Sequence, residues 1–246
     1  MSCSIKNIDK LNRFFLDNKK LLITNYPGIN FHRIKQDIID FSGSNNFLEE
    51  YYCHSTSGLL DSFISSLLKG KPLEYILNKS YFYKSSFYVN EDVLIPRSET
   101  EILVEKAVQF SEKTNNKSEF AIADVGTGSG AIILSVLQEL NFKVEAIASD
   151  ISREALRVAK INYNQHKYLI HKDSEIEFIF SDRMKEFDKK FDLILTNPPY
   201  IKKSESKKYV HQQVQQFEPK LALYIQDDQY IQWFKQFFSE IFNSLK

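Results

Sequence analysis

From Phe120 to Thr196 the chain alternates short apolar runs with amphipathic stretches, and few folds accept such a pattern. FAIADV (120–125), VEAIASD (144–150), IEFIFSD (176–182) and FDLILT (191–196) read as strands. AIILSVLQEL (131–140) and ISREALRVAKINYNQ (151–165) read as helices between them. Helical crossovers between successive strands imply an α/β fold with a parallel sheet covered on both faces. In such a sheet, ligands bind at the carboxyl ends of the strands, so the loops that follow them hold the candidate chemistry.

The first of these loops is GTGSG: Gly126, Thr127, Gly128, Ser129 and Gly130. Glycines there let the backbone turn tightly and approach a ligand closely. Asp150, at the end of the next strand, stands twenty residues beyond Gly130, the position from which a carboxylate accepts both ribose hydroxyls of an adenosine. With Ala131, GTGSGA also satisfies the dinucleotide pattern G-x-G-x-x-G/A. Asp124, just before the loop, argues against a pyrophosphate and suits the cationic amino-acid end of S-adenosylmethionine, met directly or through water. After the third strand, Asp182 offers an acceptor for an adenine amino group and Arg183 a planar face for stacking.

The fourth strand ends in Asn197, Pro198, Pro199 and Tyr200, where proline stops the ladder and stiffens the turn. The side-chain carbonyl of Asn197 and the backbone carbonyl of Pro198 form a pair of acceptors suited to an NH2 group conjugated to a carbonyl or an aromatic ring. Such a nitrogen is a poor nucleophile, and holding its two hydrogens aims the lone pair at an electrophile. Tyr200 is placed to stack on the planar group.

Residues 1–75 are of a different kind. Ile5, Ile8, Leu11, Phe14 and Phe15, then Ile34, Ile38, Ile39 and Phe41, then Leu59, Leu60, Phe63, Ile64, Leu67 and Leu68 recur at helical spacing, which predicts a small bundle without catalytic groups. His32 and His54 have no companions spaced for a metal. Residues 76–97 read as a linker with a β-hairpin turning at Lys84-Ser85-Ser86, and 98–246 as the α/β domain. Ser98 and Glu101 have capping-box spacing before a helix whose apolar face is Ile102, Leu103, Ala107 and Phe110. Arg97, Glu99 and Glu101 are candidates for the mouth of the site.

Balanced charge, 32 basic against 32 acidic residues, gives no global reason to expect a stable nucleic-acid partner. Cys3 and Cys53 are too few for a disulfide framework, and neither a signal-peptide core nor a membrane-length apolar run is present. A cytoplasmic protein without a membrane partner is expected.

DVGTGSG (124–130), Asp150 and NPPY (197–200) resemble the class I S-adenosylmethionine-dependent methyltransferases that act on amino groups of amides or bases. GKPLEYIL (70–77), VLIPRSETEILVE (93–105) and EPKLAL (218–223) narrow the resemblance to the bacterial release-factor glutamine methyltransferases, the HemK/PrmC family. It implies a Rossmann-like methyltransferase domain behind a helical substrate-docking domain, with S-adenosylmethionine as cofactor and no metal. It also implies methyl transfer to N5 of the glutamine in the Gly-Gly-Gln loop of peptide-chain release factors. Residues Asp124, Gly126 to Gly130, Asp150, Asp182, Arg183 and Asn197 would then contact the cofactor, and Asn197 to Tyr200 would hold the target amide, with Asn197, Pro198 and Tyr200 catalytic.

Two departures from the family pattern stand out. Ser98 replaces the proline that commonly follows IPR, and the C-terminal strands usual after the last helix are missing, so the domain is expected to be C-terminally incomplete. Without them, 191–196 is expected to be an apolar sheet edge. An adenine-N6 DNA methyltransferase is the alternative, disfavoured by the balanced charge and by the lack of a recognition domain. A catalytically impaired cofactor-binding adapter is another, although the glycine loop, Asp150 and Asn197 all remain.

Overall fold

Strand β3 (Phe120–Val125) is buried along its whole length, because it lies between two parallel neighbours and under helices. The structure is a computed structural model that describes residues 5–50, 58–114, 120–205 and 210–246. Cys3, Cys53 and His54 lie outside the described residues. The chain divides into two compact units, Met1–Asn78 and Lys79–Lys246.

In the first unit, helices α1 (Asn7–Asn25), α2 (Phe31–Ser42) and α3 (Gly58–Leu68) and the short α4 (Leu73–Leu77) surround one apolar cluster. Leu11, Ile34, Ile38, Leu60, Phe63 and Leu67 are fully buried in it, as the helical spacing predicts. Ile5, Leu59 and Leu68 instead face outward. The Asn30 side chain caps α2 by accepting the Arg33 amide at 3.0 Å, and Gly43 ends it in the left-handed conformation at φ 68°.

The second unit opens with the hairpin β1 (Ser80–Phe82) and β2 (Ser85–Phe87). Phe82 pairs with Ser85, so the turn is Tyr83-Lys84, earlier than Lys84-Ser85-Ser86. Tyr83 takes φ 55° there, and its amide donates to Glu101 Oε1 at 3.0 Å. That contact engages the carboxylate expected to close a capping box. Residues Ser98–Thr100 form a 3-10 turn without a side-chain cap, and α5 (Glu101–Thr114) follows. Helix α5 buries Val104, Ala107 and Ser111, while Ile102 and Phe110 are exposed, so its inner face is rotated from the expected one.

The central sheet has the order β5-β4-β3-β6 with all pairs parallel, built from β4 (Val144–Asp150), β5 (Glu175–Phe180) and β6 (Leu193–Thr196). Helices α6 (Ala131–Glu139) and α7 (Arg153–His166) are the crossovers. Seven of the nine residues of α6 are buried, which matches its almost unbroken apolar sequence. At Gly130, φ is 79° and a Cβ would stand 3.2 Å from Leu134 Cδ1, so the turn into α6 needs glycine on both counts.

Strand β6 is shorter than the expected 191–196 and is the edge of the sheet among the described residues. Beyond it the backbone makes a single parallel bridge, Phe191 to Leu245: Phe191 N–H donates to Ser244 O at 2.9 Å, and Lys246 N–H donates to Phe191 O at 3.0 Å. The last helix, Tyr230–Ser244, turns Trp233, Phe237 and Ile241 toward Phe191 and Met184 and leaves Ile231, Phe238 and Phe242 exposed. No helix of the described residues is long and apolar enough to cross a membrane.

Phe191 is fully buried and stacks edge-on against Phe187 at 5.4 Å, where it anchors the last helix to the sheet. Phe191→Ala should destabilise this unit by about 3–5 kcal/mol, the cost of removing a core aromatic ring, read from the urea unfolding midpoint.

Candidate active site

The carboxyl ends of β3, β4 and β6 open into a cavity of about 580 Å3. Gly126, Thr127, Gly128 and Ser129 line it from the loop after β3, Asp150 from β4, Asp182 and Arg183 from beyond β5, and Asn197, Pro198 and Pro199 from beyond β6. Of the other candidates, Asp124, Gly130 and Tyr200 do not line it. Tyr200 is 65% exposed, and its carbonyl accepts the Tyr230 hydroxyl at 3.0 Å.

The two aspartates hold the loop from different sides. Asp150 Oδ2 accepts the Gly128 amide and Oδ1 the Ser152 amide, each at 2.9 Å. Burial raises the Asp150 pKa, and the amides of Ser152, Gly128 and Ile151 oppose that shift by favouring the charge. A carboxylate has about four acceptor positions, so these amides leave capacity for a further donor.

Asp124 is fully buried beneath the loop and accepts the Thr127 hydroxyl at 2.7 Å. Its pKa is pushed up to about 7: burial is the largest cause, the Thr127 hydroxyl lowers it, the Asp150 charge raises it and the Ile133 amide lowers it. The structure therefore places Asp124 under the cavity floor rather than on its wall.

At the third loop, Arg183 sits at φ 61°, a strained conformation for a side chain of this size. Its Nε lies 3.5 Å from Asp182 Oδ1 and 3.5 Å from Glu240 Oε2 of the last helix, which holds the guanidinium along the cavity wall. At the fourth, the Thr196 hydroxyl donates to Val125 O at 2.8 Å and ties the end of β6 to the end of β3, just before the glycine loop. No hydrogen bond within the described residues engages the Asn197 side chain, so its amide stays uncommitted at the rim.

Of Arg97, Glu99 and Glu101, only Arg97 lines the cavity. Its guanidinium donates to Glu218 Oε1 at 2.6 Å, and the Ile95 amide donates to Glu218 Oε2 at 3.2 Å. The Glu218 side chain is 2% exposed, so this carboxylate is buried because it is paired. Glu101 serves the Tyr83 amide, and Glu99 accepts from the Ser98 hydroxyl at 3.3 Å.

Sequence reasoning missed the far wall, made by Tyr224, Ile225, Gln229, Trp233 and Phe237. The stripe Trp233, Phe237, Ile241, at four-residue spacing, was the available signal. Among the described residues no group of three or more His, Cys, Asp or Glu is arranged to hold a metal ion.

Residues 100–222 match the family described as the methyltransferase small domain. Over 179 residues the chain is 36% identical to the release factor glutamine methyltransferase of Flavobacterium psychrophilum, covering 72% of this chain and 60% of that protein. The protein of that name from Leptospira interrogans is 43% identical over 162 residues, covering 65% and 54%. The one from Clostridium acetobutylicum is 32% identical over 219 residues, covering 85% and 68%.

The chain belongs to the release factor glutamine methyltransferase family. It spans 54% to 68% of the length of these three relatives. The family resemblance seen in GTGSG, Asp150 and NPPY thus extends over most of the chain, and the sheet is the Rossmann-like sheet expected of class I methyltransferases.

Because the Asp124 carboxyl is raised when folded, the folded state binds a proton there more tightly than the unfolded chain does. The stability it contributes is complete below about pH 4 and is lost as the pH rises to about 7. Asp124→Asn removes this titration while keeping an acceptor for Thr127. Between pH 5 and pH 8 the wild-type urea midpoint should therefore fall more steeply than that of the variant.

Proposed function

We propose that this chain binds S-adenosylmethionine in the cavity and transfers its methyl group to N5 of the glutamine in the Gly-Gly-Gln motif of peptide-chain release factors, in the cytoplasm. One observation carries the reading: the glycine loop, Asp150 and the Asn-Pro-Pro tip open into one cavity. The donor set fits the ligand. The backbone of Gly126 to Ser129 has no side chain at two of its four positions and admits close approach, Asp150 offers acceptors for ribose hydroxyls, and Asp182 and Arg183 flank the place of an adenine.

When bound, the cofactor supplies a methyl group already activated by its sulfonium. What remains for the chain is orientation and exclusion of water. The Asn197 side-chain carbonyl and the Pro198 carbonyl hold the two hydrogens of the substrate amide and direct the nitrogen lone pair across the cavity. Pro199 keeps the tip stiff. Tyr200, which lies outside the cavity lining, meets the incoming protein segment from the rim. The amide nitrogen loses one proton to solvent as it is methylated, so no general base is required. Asn197 is an orienter, and the chemistry needs no metal.

The helical residues 1–75 serve as a docking domain in this reading. A small NH2 group offers little recognition surface, and contacts far from it supply binding free energy that holds it in register. Their cluster of apolar side chains with no catalytic group suits that part.

Asn197→Ala should lower methyl transfer about 100-fold, the scale for losing one preorganised active-site hydrogen bond, with affinity for S-adenosylhomocysteine little changed. Asp150→Ala should weaken that affinity by about 1.5–3 kcal/mol, the range for hydrogen bonds to a charged group, read by calorimetry. The deciding assay is radioactive methyl transfer to a release factor, to its Gln→Ala variant in the Gly-Gly-Gln motif, and to adenine-containing duplex DNA. Labelling of the wild-type factor alone is expected. Preferential labelling of DNA, or equal labelling of the two proteins, would reject the assignment.

A further inference from the structure

Asn162 lies in the middle of α7 and is fully buried, yet it does not line the cavity. A primary amide in such a place needs partners. Its Nδ2 donates to Ser129 O at 2.8 Å and to Tyr88 O at 2.9 Å, and its Oδ1 accepts the Tyr88 amide at 2.7 Å. Three of the four hydrogen-bonding positions of the side chain are thus used, all on backbone.

The two segments so joined are both walls of the cavity. Ser129 belongs to the glycine loop, and the chain leaving Tyr88 supplies Glu91, Asp92, Val93, Leu94, Pro96 and Arg97. The other buried positions of α7 are the aliphatic Ala155, Leu156, Val158 and Ala159 and, one turn on, His166, whose Nε2 lies 2.9 Å from Ser86 O and so meets the hairpin before Tyr88 but not the glycine loop. An aliphatic residue would fill the volume but would strand two carbonyls and one amide.

We infer that Asn162 is a positioning residue that sets the separation of the glycine loop from the 88–97 strap, and so the width of the cavity between them. Its effect on ligand rests on the reading of this cavity as the site for an S-adenosyl ligand. The positioning itself is a property of the ligand-free chain. The bonds to Ser129 and Tyr88 hold the loop and the strap against one side chain, and both walls move apart when it is lost.

The test is amide hydrogen exchange on the ligand-free full chain, followed by calorimetry with S-adenosylhomocysteine. In Asn162→Ala the amides of Gly128 and Tyr88 should exchange about tenfold faster, the scale of one stranded buried group, while those of Ala146 to Ala148 in β4 keep their wild-type rates. Asn162→Asp retains the shape and the acceptor for the Tyr88 amide but sets an oxygen against the carbonyls of both Ser129 and Tyr88, so it should release the Gly128 amide more than the Tyr88 amide. This second variant decides the matter if the first does not fold. Affinity for S-adenosylhomocysteine should fall about tenfold in both, in proportion to that loss of order. Uniform acceleration across the unit, or an unchanged Gly128 amide in Asn162→Asp, would overturn the inference. If the wild type binds no S-adenosylhomocysteine while the exchange pattern holds, the ligand reading fails and the positioning role stands.

Discussion

The site depends on one register. Val125 lies opposite Ser149 on one side and Thr196 on the other, so three parallel strands end level and deliver their loops to the same place. A slip of one residue in either pair would turn every side chain of that strand to the opposite face. Asp150 would leave the glycine loop, or Asn197 would leave the rim. Complete burial of β3 makes such a slip costly, because its apolar residues are packed on both faces.

Around that register the polar groups divide by how fully they are satisfied. Asp150 is committed to backbone amides, one oxygen of Asp124 to Thr127, and Glu218 to Arg97 and to Ile95. Buried charge is tolerated at Asp150 and Glu218 because partners are supplied from within the fold, whereas burial pushes Asp124 toward its neutral form. Asn197 is different, since its amide has no such commitment among the described residues. A floor fixed by internal bonds and a tip left unpaired suit a cavity in which one ligand is held firmly and a second is presented to it.

Much of this was legible in the residues. The alternation from 120 to 196 carried the sheet and its crossovers, and glycines at 126, 128 and 130 with Asp150 marked the first loop, because backbone demands of that kind are local. The misplaced details were those settled by distant partners. Glu101 accepts the Tyr83 amide instead of closing a capping box, and the hairpin turns at Tyr83-Lys84. Asp124 reads as a wall residue from its place beside the loop, and only the packing around β3 shows that it lies under the floor. Asn162 carried no signal at all, since an asparagine in a helix is ordinarily a surface residue.

The Arg97–Glu218 pair joins positions 121 residues apart, and the Ile95 amide reaches 123 residues to the same carboxylate. Closure entropy grows only slowly with length, so a span this long is little costlier to close than the 71 residues between Val125 and Thr196. The strap before the first long helix of this unit and the segment before the last one thus form one wall, and loosening either end opens the same side of the cavity.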